Sequence, residues 1–126
     1  MKLSCNYPTV DVNLENGVYV FNDESASGKT YLLYMLNKMS NADSVIGFTY
    51  TDSLSNSINM EKCIGRHIIM FDRYDMYRNK YADIIKKLKN SSIILIDCKN
   101  LADMTLDVDL KDCIIELEEN SIEVFI

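Results

Sequence analysis

A glycine, a lysine and a hydroxyl residue follow one another in Ser27-Gly28-Lys29-Thr30. The segment lies between an apolar stretch that predicts a strand and an apolar-periodic stretch that predicts a helix. Backbone N–H groups at the start of such a helix can cradle an anion, and a lysine ammonium can bind phosphate oxygens. A threonine hydroxyl at this position can coordinate Mg²⁺. The four residues therefore indicate a polyphosphate site in which Gly28 lets the backbone approach the ligand closely.

The segment departs from the phosphate-binding pattern G-x-x-x-x-G-K-[ST] at one position, because Asp23 stands where the first glycine belongs. Aspartate tolerates a positive φ better than most residues, so the turn can still form. Asp23 and Glu24 nevertheless bring two negative charges near a polyphosphate and weaken binding unless both side chains point away. We expect a functional but atypical loop. Its ligand contacts are predicted at Ser25, Ala26, Ser27, Gly28, Lys29, Thr30 and Tyr31.

Two later apolar runs each end in an aspartate, at Asp72 and at Asp97. A carboxylate at the tip of a buried strand can reach a phosphate-bound Mg²⁺, which makes Asp72 a second candidate metal ligand beside Thr30. Asp97 is predicted to be a polar sensor at the end of a neighbouring strand. An aspartate in this place often only caps the following loop, and this structural interpretation stays open for both residues.

The elements that must position these residues follow from hydrophobic periodicity and turn signals. Asn16-Gly17 predicts a hairpin turn between a strand in 9–14 and a returning strand at 18–21. A polar stretch at 51–65 is expected to be a loop with a helical turn near 58–63. The other predicted elements are helices at 31–39 and 76–88 and strands at 44–50, 67–71, 92–96, 112–117 and 122–126.

Strands that alternate with helices favour crossover units and a parallel sheet. We therefore expect one domain over residues 1–126, with an α/β fold of three layers. In this prediction a mainly parallel sheet carries helices on both faces, and the last two strands form an antiparallel hairpin at one edge. The ligand would bind at the carboxyl ends of the strands, where open α/β sheets bind ligands.

Composition limits the classes of partner. The formal charge is −6 and no basic stripe is visible, so we do not expect nucleic acid as a partner. No apolar run is long enough for a membrane-spanning helix, and residues 1–10 lack the apolar core of a signal peptide, so a cytoplasmic protein is expected. Four widely spaced cysteines with a single histidine predict free thiols in the core rather than a metal cluster.

The order of these motifs resembles the P-loop NTPases, in particular the additional-strand class that includes the ABC-type and AAA-like ATPases. The resemblance covers the layout of about residues 10–100, with specific motifs only at 27–30 and 68–72. It implies that Gly28, Lys29 and Thr30 belong to a Walker A loop and that Asp72 is the Walker B aspartate. ATP and Mg²⁺ are the cofactors that the resemblance implies.

The family usually places a glutamate directly after the Walker B aspartate, where it orients the attacking water. Arg73 occupies that position, and Asp75 is the nearest substitute, two residues out of register. We therefore expect a nucleotide-binding protein whose ATPase activity is weak, dependent on a partner or absent. The alternative is a degenerate P-loop domain that acts as a protein–protein interaction module without nucleotide. A protein partner and a homo-oligomer are both left open.

Overall fold

The computed structural model describes residues 1–21, 28–39, 44–77, 80–99, 107–118 and 121–126. The described strands are β1 (Lys2–Asn6), β2 (Thr9–Asn13), β3 (Gly17–Phe21), β4 (Val45–Phe48), β5 (Ile68–Phe71), β6 (Ile93–Ile96), β7 (Leu110–Glu118) and β8 (Ser121–Phe125). The described helices are α1 (Lys29–Met39), α2 (Tyr50–Leu54), α3 (Met60–Cys63), a 3-10 helix (Tyr74–Tyr77) and α4 (Ala82–Leu88).

The described strands form one mixed sheet in the order β2-β1-β8-β7-β3-β6-β5-β4. One part of the sheet, β7-β3-β6-β5-β4, pairs in parallel. The other part, β2-β1-β8-β7, pairs in antiparallel fashion, so β7 has one neighbour of each kind. Val20 of β3 lies opposite Ile96 of β6, and Ile96 lies opposite Phe71 of β5. The carboxyl ends of these three strands therefore meet at one edge of the sheet.

The predicted three-layer fold, with a mainly parallel sheet and helices on both faces, is wrong. Among the described residues, only α1, with eleven residues, is longer than two turns. The sheet curls, so that Leu3 of β1 and Val124 of β8 join Leu32 and Leu36 of α1 in one core cluster. The antiparallel strands cover α1 because their alternating side chains, buried at Leu3 and Cys5, need an apolar partner.

The opposite face of the parallel strands carries an aromatic cluster instead of a layer of helices. Phe71 of β5 contacts Tyr74 and Tyr77 of the 3-10 helix at ring-centroid distances of 5.7 Å and 6.3 Å. Tyr81, just before the seven-residue α4, stacks on Phe71 at 6.2 Å. Large rings fill this volume, so short helical segments are sufficient to bury the face.

The predicted hairpin at Asn16-Gly17 is also wrong, since β2 pairs with β1 and not with β3. β3 is buried on both sides and pairs in parallel with β6 and β7. A strand that is apolar on both faces is more stable in the middle of a sheet than in an edge hairpin. The terminal pair β7–β8 is antiparallel, as expected, but β1 and β2 continue the sheet beyond β8, so this pair does not form the edge.

In two regions the helices of the structure differ from those predicted from the sequence. The segment expected to be one helix at 76–88 contains the end of the 3-10 helix and then α4, with 78–79 outside the described residues. The expected loop at 51–65 contains the predicted turn as α3 but also α2, which the sequence reading missed. Thr49 and Asp52 form a capping box at the start of α2, and this pair of residues is a sequence signal for a helix start.

The four cysteines are buried free thiols, as the sequence predicts. Burial raises the pKa of the Cys5 thiol to about 12 and that of Cys63 to about 11, which disfavours the reactive thiolate. Within the part of the chain that the structure describes, no helix has the length and apolarity needed to cross a membrane.

A close approach between α1 and β4 generates a prediction. A Cβ at Gly47 would lie 2.5 Å from Leu33 Cδ1 and 3.3 Å from Asn37 Oδ1. We expect Gly47→Val to lower the free energy of unfolding in urea by roughly 1–3 kcal/mol, because the buried Leu33 must move. Gly47→Ala should cost less, since Cδ1 is the end of a flexible side chain. Equal stability of all three proteins would contradict the close packing.

Candidate functional site

Three of the predicted residues meet where β3, β6 and β5 end. Lys29 is the first residue of α1, the helix that follows β3, and Asp97 and Asp72 come directly after β6 and β5. Because these parallel strands are adjacent and in register, residues after their carboxyl ends lie at the same edge. The structure thus brings together one ammonium group and two carboxyl groups that are far apart in the sequence.

Lys29 and Asp97 form an ion pair. Lys29 Nζ lies 3.0 Å from Asp97 Oδ1, and the two side chains are 15% and 8% exposed. An ion pair that is this well shielded from water is stronger electrostatically than an exposed one, and its two charges depend on each other for solvation. The ammonium of Lys29 is therefore held within the site rather than extended into solvent.

The carboxyl group of Asp72 is also affected by the neighbouring Asp97. Burial first, and then Asp97, raise the pKa of Asp72 to about 6, while the charges of Arg73 and Lys29 oppose this rise. Lys29, Asp97 and Asp72 thus form a chain of charged and protonatable groups.

Main-chain hydrogen bonds fix the two aspartates. The Asp72 N–H donates to Phe48 O at 2.9 Å, and the Asp97 N–H donates to Phe71 O at 2.9 Å. The carbonyl of Asp97 accepts from the Tyr74 N–H at 2.7 Å. The Tyr77 hydroxyl donates to the carbonyl of Asp72 at 2.5 Å. The backbone beneath both carboxyl groups is therefore held by hydrogen bonds, and Lys29 reaches Asp97 through a long side chain.

The backbone conformation at Gly28 favours glycine. Its φ of +101° lies in the left-handed half of conformational space, where a side chain is strained. A Cβ there would make ordinary van der Waals contacts with β7, at 3.4 Å from Ile115 Cγ2 and 3.5 Å from Leu117 Cβ. The Leu32 N–H donates to Gly28 O at 2.8 Å, so Gly28 directly precedes α1 and accepts a hydrogen bond from its first turn. Gly28 thus lets the chain enter α1 close against β7.

Of the remaining predicted contacts of the loop, Thr30 and Tyr31 lie among the described residues. Ser25, Ala26 and Ser27 lie outside the described residues, as do Asp23 and Glu24. Thr30 is exposed at the start of α1. Tyr31 is exposed as well, and its ring lies 6.1 Å from that of Tyr34 on the outer side of α1.

Arg73 and Asp75 lie beside the site but face each other. Arg73 has a φ of +53°, which is uncommon for a residue with a side chain. Its Nε lies 3.7 Å from Asp75 Oδ1. Asp75 Oδ1 is buried and has no hydrogen-bond partner among the described residues. Asp75 is in the 3-10 helix that follows β5, and its carboxyl group faces Arg73.

Sequence reasoning identified Asp97 only as a sensor and missed its pairing with Lys29. The signal was present, since an aspartate follows each of two apolar strands, but the sequence does not show that β6 lies between β3 and β5. The support that Tyr77 gives to Asp72 was missed for a similar reason. A tyrosine in an apolar-periodic segment gives no sign of which backbone carbonyl its hydroxyl will reach.

Comparisons with protein-family models, with curated proteins and with solved structures find no match for this chain. In the described part of the chain, no group of three or more histidine, cysteine, aspartate or glutamate side chains could hold a metal ion. The functional interpretation therefore depends on the arrangement of Lys29, Asp97, Asp72 and Gly28.

The raised pKa of Asp72 predicts that stability depends on pH. The folded protein binds this proton more tightly than the unfolded chain, where the ordinary value is 3.8. The stabilising contribution is therefore complete below about pH 4 and is lost as the pH rises through about 6. We expect the free energy of unfolding in urea to fall between about pH 4 and pH 7, most steeply between the two pKa values.

Asp72→Asn should lose this part of the pH dependence, because an amide does not ionise. Asp83→Asn, at an exposed aspartate in the first turn of α4, is the matched control and should keep the wild-type slope. If Asp72→Asn and the wild type show the same slope, Asp72 is not the group that titrates.

Proposed function

We propose that this chain binds a nucleotide, with ATP and Mg²⁺ as the expected ligands, at the edge where β3, β6 and β5 end. The observation that carries this proposal is the shielded ammonium of Lys29, which lies 3.0 Å from Asp97 at the start of the helix that follows β3. A cation in this position, beside a glycine with positive φ, has the chemistry that a phosphate-binding loop requires.

The sheet topology supports this location. Beyond β3 the chain passes through α1 to β4, at the far edge of the sheet, whereas beyond β6 it passes to β7, on the other side of β3. The connections from the adjacent strands β3 and β6 thus leave in opposite directions. In open α/β sheets, ligands bind at such a switch point, outside the carboxyl ends of the strands.

The chemistry of the donor set fits Mg²⁺. This ion prefers oxygen ligands and is commonly held by one or two protein groups together with substrate phosphates. The carboxyl group of Asp72 and the hydroxyl of Thr30 are the residues that would hold it, and the ion would offset negative charge on the phosphates. Lys29 and the backbone around Gly28 would bind phosphate oxygens directly.

The residues that follow Asp72 do not favour hydrolysis of the nucleotide. Arg73 remains protonated at neutral pH and cannot serve as a base. The carboxyl group of Asp75 lies 3.7 Å from the Arg73 guanidinium, where it is partly neutralised. We therefore infer that nucleotide turnover is slow, needs a partner that supplies the missing group, or does not occur.

One observation favours the alternative, a protein–protein interaction module that binds no nucleotide. Lys29 already has an anionic partner in Asp97, so the lysine can serve the fold without a phosphate.

Calorimetric titration with Mg-ATP separates the two functions. We expect the wild type to bind and Lys29→Met to bind roughly 10- to 100-fold more weakly, because methionine keeps the apolar stem but removes a charged hydrogen bond. Lys87→Met, at an exposed lysine in the last turn of α4, is the matched control. It should bind like the wild type, because α4 leads into the opposite ends of the strands.

Thermal denaturation gives an independent measurement. A nucleotide at a hundred times its dissociation constant should stabilise the wild type by about 2.7 kcal/mol. Absence of both heat and stabilisation at millimolar Mg-ATP would contradict nucleotide binding and favour the interaction module. Equal affinities of the wild type and Lys29→Met would show that the nucleotide binds elsewhere.

A further inference from the structure

Lys29 contacts an anionic group of the protein itself, the carboxyl group of Asp97. Lys29 Nζ lies 3.0 Å from Asp97 Oδ1, and both side chains are largely shielded from water. Any phosphate that uses this ammonium must replace the carboxylate or share the cation with it. Since like charges repel strongly in a shielded site, sharing is costly.

We propose that Asp97 is an internal competitor that holds Lys29 in a closed position and releases it only to a polyanionic ligand. This inference rests on the proposed anion site, and it adds a regulatory role for Asp97 at that site. In the closed position the ammonium is paired with Asp97. In the open position it binds phosphate oxygens instead.

The backbone shows which partner moves. Asp97 is held on both sides, because its N–H donates to Phe71 O at 2.9 Å and its carbonyl accepts from Tyr74 N at 2.7 Å. Lys29 has four rotatable side-chain bonds on the first residue of a helix. The opening step is therefore a rotation of the lysine side chain and needs no movement of the sheet.

Competition with the Asp97 carboxylate for Lys29 favours ligands that carry several negative charges. A monoanion offers little more than the carboxylate that it must replace, whereas a chain of linked phosphates offers several oxygens to the ammonium and to the backbone near Gly28. We therefore expect the Lys29–Asp97 pair to open for a polyphosphate, either free or as part of a nucleotide. Weakly charged metabolites are excluded by the same pair.

The test uses inorganic tripolyphosphate in EDTA at low salt, so that no metal contributes. We expect Asp97→Asn to bind this probe about tenfold more tightly than the wild type, a change of the size seen when close charge pairs are uncoupled. Asp72→Asn removes one carboxyl group from the same site without freeing Lys29, and it should give a clearly smaller gain. The double variant Lys29→Met/Asp97→Asn should lose the gain.

Three results would overturn the competitor role of Asp97. Equal gains for Asp97→Asn and Asp72→Asn would show a general charge effect and overturn the competitor role, as would a gain that survives in the double variant. No binding of tripolyphosphate by any protein would overturn it too. If the wild type still binds Mg-ATP in those cases, the proposed function stands alone. If no protein binds either probe, both proposals fail.

Folding of the variants is checked first by circular dichroism and thermal denaturation. Should Asp97→Asn not fold, Asp97→Ser removes the same carboxyl group with a smaller polar side chain and is expected to give the same gain. Loss of the gain in a folded Asp97→Ser protein would overturn the competitor role.

Discussion

The in-register parallel pairing of β3, β6 and β5 is the constraint on which the site depends. Val20, Ile96 and Phe71 are neighbours across these strands, so the chain leaves all three at one edge of the sheet. The strands are short and apolar, and β5 and β6 are buried at every position. A slip of one residue would turn the core side chains of a strand to the opposite face, which makes the register specific.

The electrostatics of the site follow from that alignment. Lys29 is shielded from water beside two carboxyl groups, one of which has a raised pKa because of burial and its neighbour. The ion pair between Lys29 and Asp97 reduces the cost of burying these two charged groups. Both a nucleotide site and a purely structural ion pair are consistent with this arrangement of the described residues.

The local elements were easier to predict than their assembly. The apolar runs that became β5 and β6 and the periodicity of α1 were visible in the sequence because each depends on a few neighbouring residues. The pairing of β2 was predicted wrongly because Asn16-Gly17 is a strong local turn signal, whereas the burial of β3 on both faces is a property of the whole sheet. The curl of β1 and β8 over α1 had no local signal.

The amino-acid sequence by itself determined the chemical groups of the candidate site: a glycine and a lysine at a helix start, and an aspartate after each of two apolar strands. Only the tertiary structure decided that Asp97, rather than Asp72, forms the ion pair with Lys29, and that Arg73 pairs with Asp75. The physical reason is that residue types and turn signals act over a few positions. The distance between two charges on different strands depends instead on strand order and register, which the burial of the entire sheet sets.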